Sequence, residues 1–313
     1  SACVTGATCF GGGCAAGAAS CCTDALGCDD EDACTTDACL LGACVHADAC
    51  SDWRVVAVDS GGAVSVRSAT LGLITVVPDV VGVEVAQVRD VVIVRSEAGA
   101  LTALDSSGAA LGTLSAGATG LGGGERLLVV VSGKLEVRDP ATLDLLETLG
   151  PAPLGAAASL GDSDSAYVAT RHGVVRWFLG GVYGDWGPGG RALAAALDAP
   201  GGRIVVASAA DVRVVDVRDG ALLRLTPGGA SALAVLPDVS EAVIALTSGS
   251  LERREIGGWT LKAAVPRAGV RTIATRPGAQ LIASSTALEV LDASLTATAT
   301  SGGQWRAAVW IVP

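Results

Sequence analysis

Residues 203–238 read RIVVASAADVRVVDVRDGALLRLTPGGASALAVLPD. A compact apolar run at 204–207 is followed by Val212-Arg213-Val214-Val215-Asp216, where aliphatic residues recur at alternate positions and an acid ends the series. The first pattern reads as a strand buried on both faces, and the second as a strand with one wetter face. Asp219-Gly220 and Gly228-Gly229 then mark two turns around a third strand, and a run of small residues at 230–236 forms a fourth.

Outward from this stretch the same order recurs. The alternating segment appears seven times, starting at Val64, Leu101, Leu135, Val174, Val212, Leu251 and Leu288, at spacings of 37, 34, 39, 38, 39 and 37 residues. A compact apolar run precedes each copy, as at 55–58, 91–94, 127–131 and 281–283. Four antiparallel strands per 34–39 residues predict the blade of a β-propeller. Period-two alternation, with glycine or proline every ten residues or so, excludes helical repeats of similar length. The expected fold is all-β: a seven-bladed β-propeller over residues 51–313, preceded by a small disulfide-rich module over residues 1–50. Residues 305–312, WRAAVWIV, read as one more innermost strand, whereas 54–77 supply only three outer strands. Pairing of the two ends would close the ring and remove its free edges.

Residues 203–238 resemble the bacterial YVTN-type propeller repeat, a strand followed by V-x-V-I-D, a return strand and a terminal S-P-D-like turn. The likeness extends weakly over all seven copies. It implies the fold and no single activity, because that superfamily hosts surface-layer-like proteins, lactonases and redox enzymes.

The first fifty residues differ in kind. They hold all ten cysteines, Cys3, Cys9, Cys14, Cys21, Cys22, Cys28, Cys34, Cys39, Cys44 and Cys50. So short a segment lacks the apolar surface to fold unaided, and five disulfides formed in an oxidising compartment are the expected remedy. The connectivity stays open. No C-x2-C pair is present and His46 is the module's one histidine, which argues against zinc. Cys34-Thr35-Thr36-Asp37-Ala38-Cys39, with Gly42-Ala43-Cys44-Val45-His46, resembles the slime-mould extracellular-matrix cysteine repeat, C-T-x-D-x-C…G-C-V-H. That resemblance implies an extracellular, structural setting, here with a single copy. The run Asp29-Asp30-Glu31-Asp32 has the carboxylates calcium prefers, but Ala33 and Cys34 follow where an EF-type loop needs a third ligand and glycine. A solvated acidic turn is expected, and no cofactor.

Charge narrows the partners. The 313-residue chain carries a net charge of −11, and residues 1–50 contain seven acids with no lysine or arginine. With no basic stripe to neutralise phosphates, nucleic acid is not an expected partner. No apolar run is long enough to span a bilayer. The first residue is Ser1 and not methionine, which reads as a mature, secreted chain. Without a single asparagine there is no N-glycosylation acceptor.

Catalytic signals are thin. The recurrent acids Asp105, Asp139, Asp216, Glu255 and Asp292 each precede a tight turn and are expected to cap it. His172 stands alone in the propeller, residues 161–165 (GDSDS) are not a nucleophile elbow, and the Gly120–Gly124 stretch is followed by strand and not helix. Asp162, Asp164 and Asp185 are the remaining acids a metal-dependent lactonase could draw on. One concentration does stand out. Tyr167, Trp177, Phe178, Tyr183 and Trp186, five of the ten aromatics, fall in the copy whose repeat pattern is most broken. Such residues anchor interfaces and sugar sites. The sequence therefore points to a secreted, non-enzymatic structural or interaction protein, expected to self-assemble, whose head docks onto its own or a neighbouring propeller, the head-to-tail version giving a filament. The alternatives are a carbohydrate- or protein-binding adhesin and, third, a lactonase-like hydrolase.

Overall fold

The structure is a computed structural model. It describes residues 53–311, except 125, 152–157, 161–164, 170–174, 180–181, 187–191, 199–201, 217, 237–238 and 277. Within the first fifty-two residues it describes the backbone of five strands, Ala7–Phe10, Gly13–Ala16, Ala19–Ser20, Thr35–Leu40 and Ala43–Asp48. The chain divides into two compact units, Ser1–Trp53 and Arg54–Pro313. In the first, Ala7–Phe10 pairs with Gly13–Ala16, and Thr35–Leu40 with Ala43–Asp48, each antiparallel.

The second unit is an all-β propeller, and every regular element among its described residues is a strand. Each repeat supplies four antiparallel strands, but the expected seven blades are corrected to six. Among the described residues five sheets have four strands, and the sixth has eight, running from Leu145–Pro151 at one edge to Val182–Trp186 at the other. Two repeats merge because their innermost strands, Ala118–Gly123 and Ala158–Leu160, pair in parallel, Gly122 opposite Ala158 and Gly123 opposite Ser159. Glycine is the physical reason. Side chains normally hold neighbouring blades apart, and residues 122–124 have none. On its other flank the same run is equally close: a Cβ on Gly123 would collide with the Gln87 carbonyl, and the Gly124 amide donates to that carbonyl at 2.9 Å.

The ends of the unit meet. Trp305–Ile311 pairs antiparallel with Arg54–Asp59, Trp305 opposite Asp59 and Ile311 opposite Arg54. Trp310 is fully buried there, with the Arg276 guanidinium 4.6 Å from its ring centre.

Second strands make the core. Val55, Val56, Ala57 and Val58 are wholly buried, as are Leu127, Leu128 and Val129. They pack from sheet to sheet: Val56, Val58, Val64 and Val66 form one cluster with Val92, Val94 and Leu104 of the next sheet. Each fully buried valine or leucine contributes roughly 1.5–3 kcal/mol, so this lattice of aliphatic contacts carries the stability. Leucines at the last turn of several sheets add to it. Leu71, Leu143 and Leu295 adopt positive φ of 66°, 65° and 63°. A left-handed leucine costs roughly 1–2 kcal/mol, which burial of its side chain offsets. All three are 4% exposed or less.

Bulges recur at fixed places. In six outermost strands the second residue is left out of register: Ile74, Leu111, Leu146, Leu223, Lys262 and Thr298. Such bulges twist an edge strand away from straight pairing.

Candidate interaction surface

The repeated acids sit where the turns need them. Asp105 accepts hydrogen bonds from the Ser107 and Ala109 amides at 2.8 and 2.9 Å, and Asp139 from Ala141 and Thr142 at 2.9 and 2.8 Å. Asp292 accepts from Ser294 and Thr296 at 2.8 and 3.0 Å, Asp216 from Arg218 at 2.8 Å, and Glu255 from Gly258 at 3.0 Å. Donors aimed at the ionised form stabilise it. The Ser294 hydroxyl and the amides around Asp292 hold its carboxyl below the usual range. For Asp105 burial pushes the other way and the hydrogen bonds prevail. Arg218 bonds both oxygens of Asp216 and brings it to about 2. These carboxylates are committed to backbone turns, one in each of five repeats, and are not convergent ligands. Among the described residues no group of three or more histidines, cysteines, aspartates or glutamates is placed to hold a metal ion.

The aromatic segment lies in three consecutive strands, Ser165–Ala169, Val175–Leu179 and Val182–Trp186, at one end of the eight-stranded sheet. Backbone register sets Tyr167 opposite Trp177, Phe178 opposite Tyr183, and Trp186 opposite Val175. Strand alternation then puts Tyr167, Trp177 and Trp186 on one face of the sheet, and Phe178 and Tyr183 on the other. The five therefore form a set of three and a set of two, a division that composition does not reveal.

In the first unit the register sets Cys9 opposite Cys14 and Cys39 opposite Cys44. Cys3, Cys21, Cys22, Cys28, Cys34 and Cys50 lie outside the described residues, as do the acidic run 29–32, Asp162, Asp164 and His172. Asp185 stands opposite Arg176 in the sheet.

Two features escaped the sequence reading. The first is a set of arginines over tryptophans: Arg67 lies 4.7 Å from the ring centre of Trp305 and Arg254 5.8 Å from that of Trp259. Arg67 and Trp305 are 238 positions apart, and only ring closure brings them together. The second is the rim. Eleven of the most exposed large aliphatic residues lie on outermost strands: Leu73, Ile74, Val76 and Val81; Leu111; Leu145 and Leu146; Leu222, Leu223 and Leu225; and Leu261. The readable signal was the doublet Leu145-Leu146-Glu147 and its counterpart Leu222-Leu223-Arg224. Glu84 is a third site of interest. Burial raises its carboxyl above the ordinary range although Arg95 binds it at 2.6 Å.

No helix among the described residues is long and apolar enough to cross a membrane. No protein-family model and no curated protein matches this chain.

Proposed function

We propose that this chain is a secreted, extracellular structural protein that assembles with copies of itself, the cysteine-rich head of one engaging the propeller of the next, as in a filament subunit. The observation that carries the reading is the aliphatic rim. Exposed leucines and valines recur along the outer strands, Leu146 at 64% and Leu73 at 58% among them, and offer apolar surface that association would remove from water. The cysteine-dense head supports the extracellular setting, since disulfides persist in oxidising compartments. Its likeness to the slime-mould-type repeat agrees with a surface role. Native particles imaged by electron microscopy, with sizing over a wide concentration range, test the proposal. Extended assemblies are expected, and a strictly monomeric particle at every concentration would defeat it.

A second reading is a carbohydrate- or protein-binding adhesin. It is favoured by Tyr167, Trp177 and Trp186 sharing one face of a sheet, an arrangement suited to stacking on sugar rings. A glycan array probed with the chain and with its Trp177→Ala and Trp186→Ala variants separates the two readings. Binding that these variants lose would favour the adhesin.

A further inference from the structure

The outermost strands Leu145–Pro151 and Leu222–Pro227 occupy the same place in their respective repeats. Each follows a capping aspartate by six residues, Asp139 and Asp216, and each carries its bulge at the second position, Leu146 and Leu223. The residue after the bulge pairs with a buried valine of the third strand, Glu147 with Val137 and Arg224 with Val214. In the other four bulged strands that same position holds Thr75, Gly112, Ala263 and Ala299. Of these six positions, only two are charged, and the charges are opposite.

Both charged residues are exposed, and neither makes an ion pair or a side-chain hydrogen bond with a described residue. Most described arginines, by contrast, are bonded to a neighbouring carboxylate or carbonyl, as Arg138 is to Glu136 and Leu143, and Arg253 to Glu241 and Ala293. Each free charge is flanked by exposed leucines, Leu145 and Leu146 in one strand and Leu222, Leu223 and Leu225 in the other. Within one copy the two strands lie at the edges of different sheets and are not paired with each other.

We infer that the two edges are complementary halves of one contact between copies: Leu145–Pro151 of one chain adds antiparallel to Leu222–Pro227 of another, centred on Glu147 opposite Arg224. The register then sets Leu146 against Leu225 and Leu149 against Leu222. Backbone N–H and C=O groups of two open edges satisfy one another, while the central pair fixes register and partner. The contact is heterologous: a joined pair still has one unused edge of each kind, one on each copy, through which further copies add. This inference rests on the self-assembly reading and names a contact for it that the head does not make.

Full-length chain and its Glu147→Arg and Arg224→Glu variants are compared by sedimentation velocity over a concentration series. Each single variant sets like charges at the centre and is expected to associate about tenfold more weakly. The double variant, with the charges exchanged, regains association. So does an equimolar mixture of the two single variants, because each then offers what the other lacks. Should a single variant misfold, shown by its circular dichroism, Glu147→Gln and Arg224→Gln replace it, with a smaller loss expected. Association of the single variants equal to that of the unaltered chain overturns the contact. If assemblies persist at the same time, the head-to-propeller reading survives and only the rim contact fails. A chain that stays monomeric but sediments with phosphatidylcholine vesicles would assign the leucines to lipid, and that too overturns it.

Discussion

The second and the outermost strands of each sheet are written in nearly the same letters, valine, leucine, isoleucine and alanine, and meet opposite fates. Leu127, Leu128 and Val129 are fully buried, whereas Leu145 and Leu146, two strands further out in the same sheet, are 51% and 64% exposed. Aliphatic character makes both into strands. Position in the blade alone decides which is core, because the second strand has a neighbouring sheet on each face and the last has water beyond its edge. The comparison teaches that the same aliphatic letters build the core at one strand position and an exposed rim at another; under the proposed function that rim serves association.

The largest expected effect comes from cutting the closure that holds the inner strands in place. Removing residues 304–313 deletes the strand paired with Arg54–Asp59, together with the buried Trp305 and Trp310. The truncated chain is expected to lose its cooperative thermal transition in calorimetry. A single transition at the original temperature would show that closure is dispensable. Next is Leu128→Ala, which opens a cavity at a fully buried position. A loss of about 2–5 kcal/mol is expected in urea unfolding. Leu146→Ala, on the same sheet, should change stability by less than about 0.5 kcal/mol while weakening association.

Leu143→Gly sharpens the comparison at an intermediate scale. Glycine relieves the left-handed backbone, φ 65°, but forfeits a side chain that is 1% exposed. Burial outweighs relief, and a net loss of about 1–2 kcal/mol is expected in the same assay.

These fates were only partly legible beforehand. The buried runs and the capping aspartates were readable because each depends on local order: four apolar residues in a row, or an acid before a turn. The fusion of two repeats into one sheet was not, since glycines at 122–124 signal a turn as readily as a close approach, and what they approach is Gln87 and Ala158. The rim was missed because Leu145-Leu146 looks like core until the strand order is known. The aromatic residues are visible in the sequence, but their division between two faces depends on register, which composition does not carry.

The smallest expected effect concerns pH. Arg218, through its guanidinium and its backbone amide, brings the Asp216 carboxyl from 3.8 to about 2. On acidification the unfolded chain takes up its proton first. The stability this group contributes is therefore present above pH 3.8 and lost as the pH falls toward about 2. Asp216→Asn lacks that contribution, so its unfolding midpoint should be lower at neutral pH and fall less steeply over this window. An unchanged slope would show that the capping carboxylate does not couple to folding.

The division between core and rim is tested most directly by amide hydrogen exchange of the full chain at low and high concentration. Amides within Leu145–Pro151 and Leu222–Pro227 are predicted to gain protection as concentration rises, while those of Leu127–Val131 stay equally slow at both. Edge amides whose exchange does not depend on concentration would contradict the claim that the outer leucines serve association.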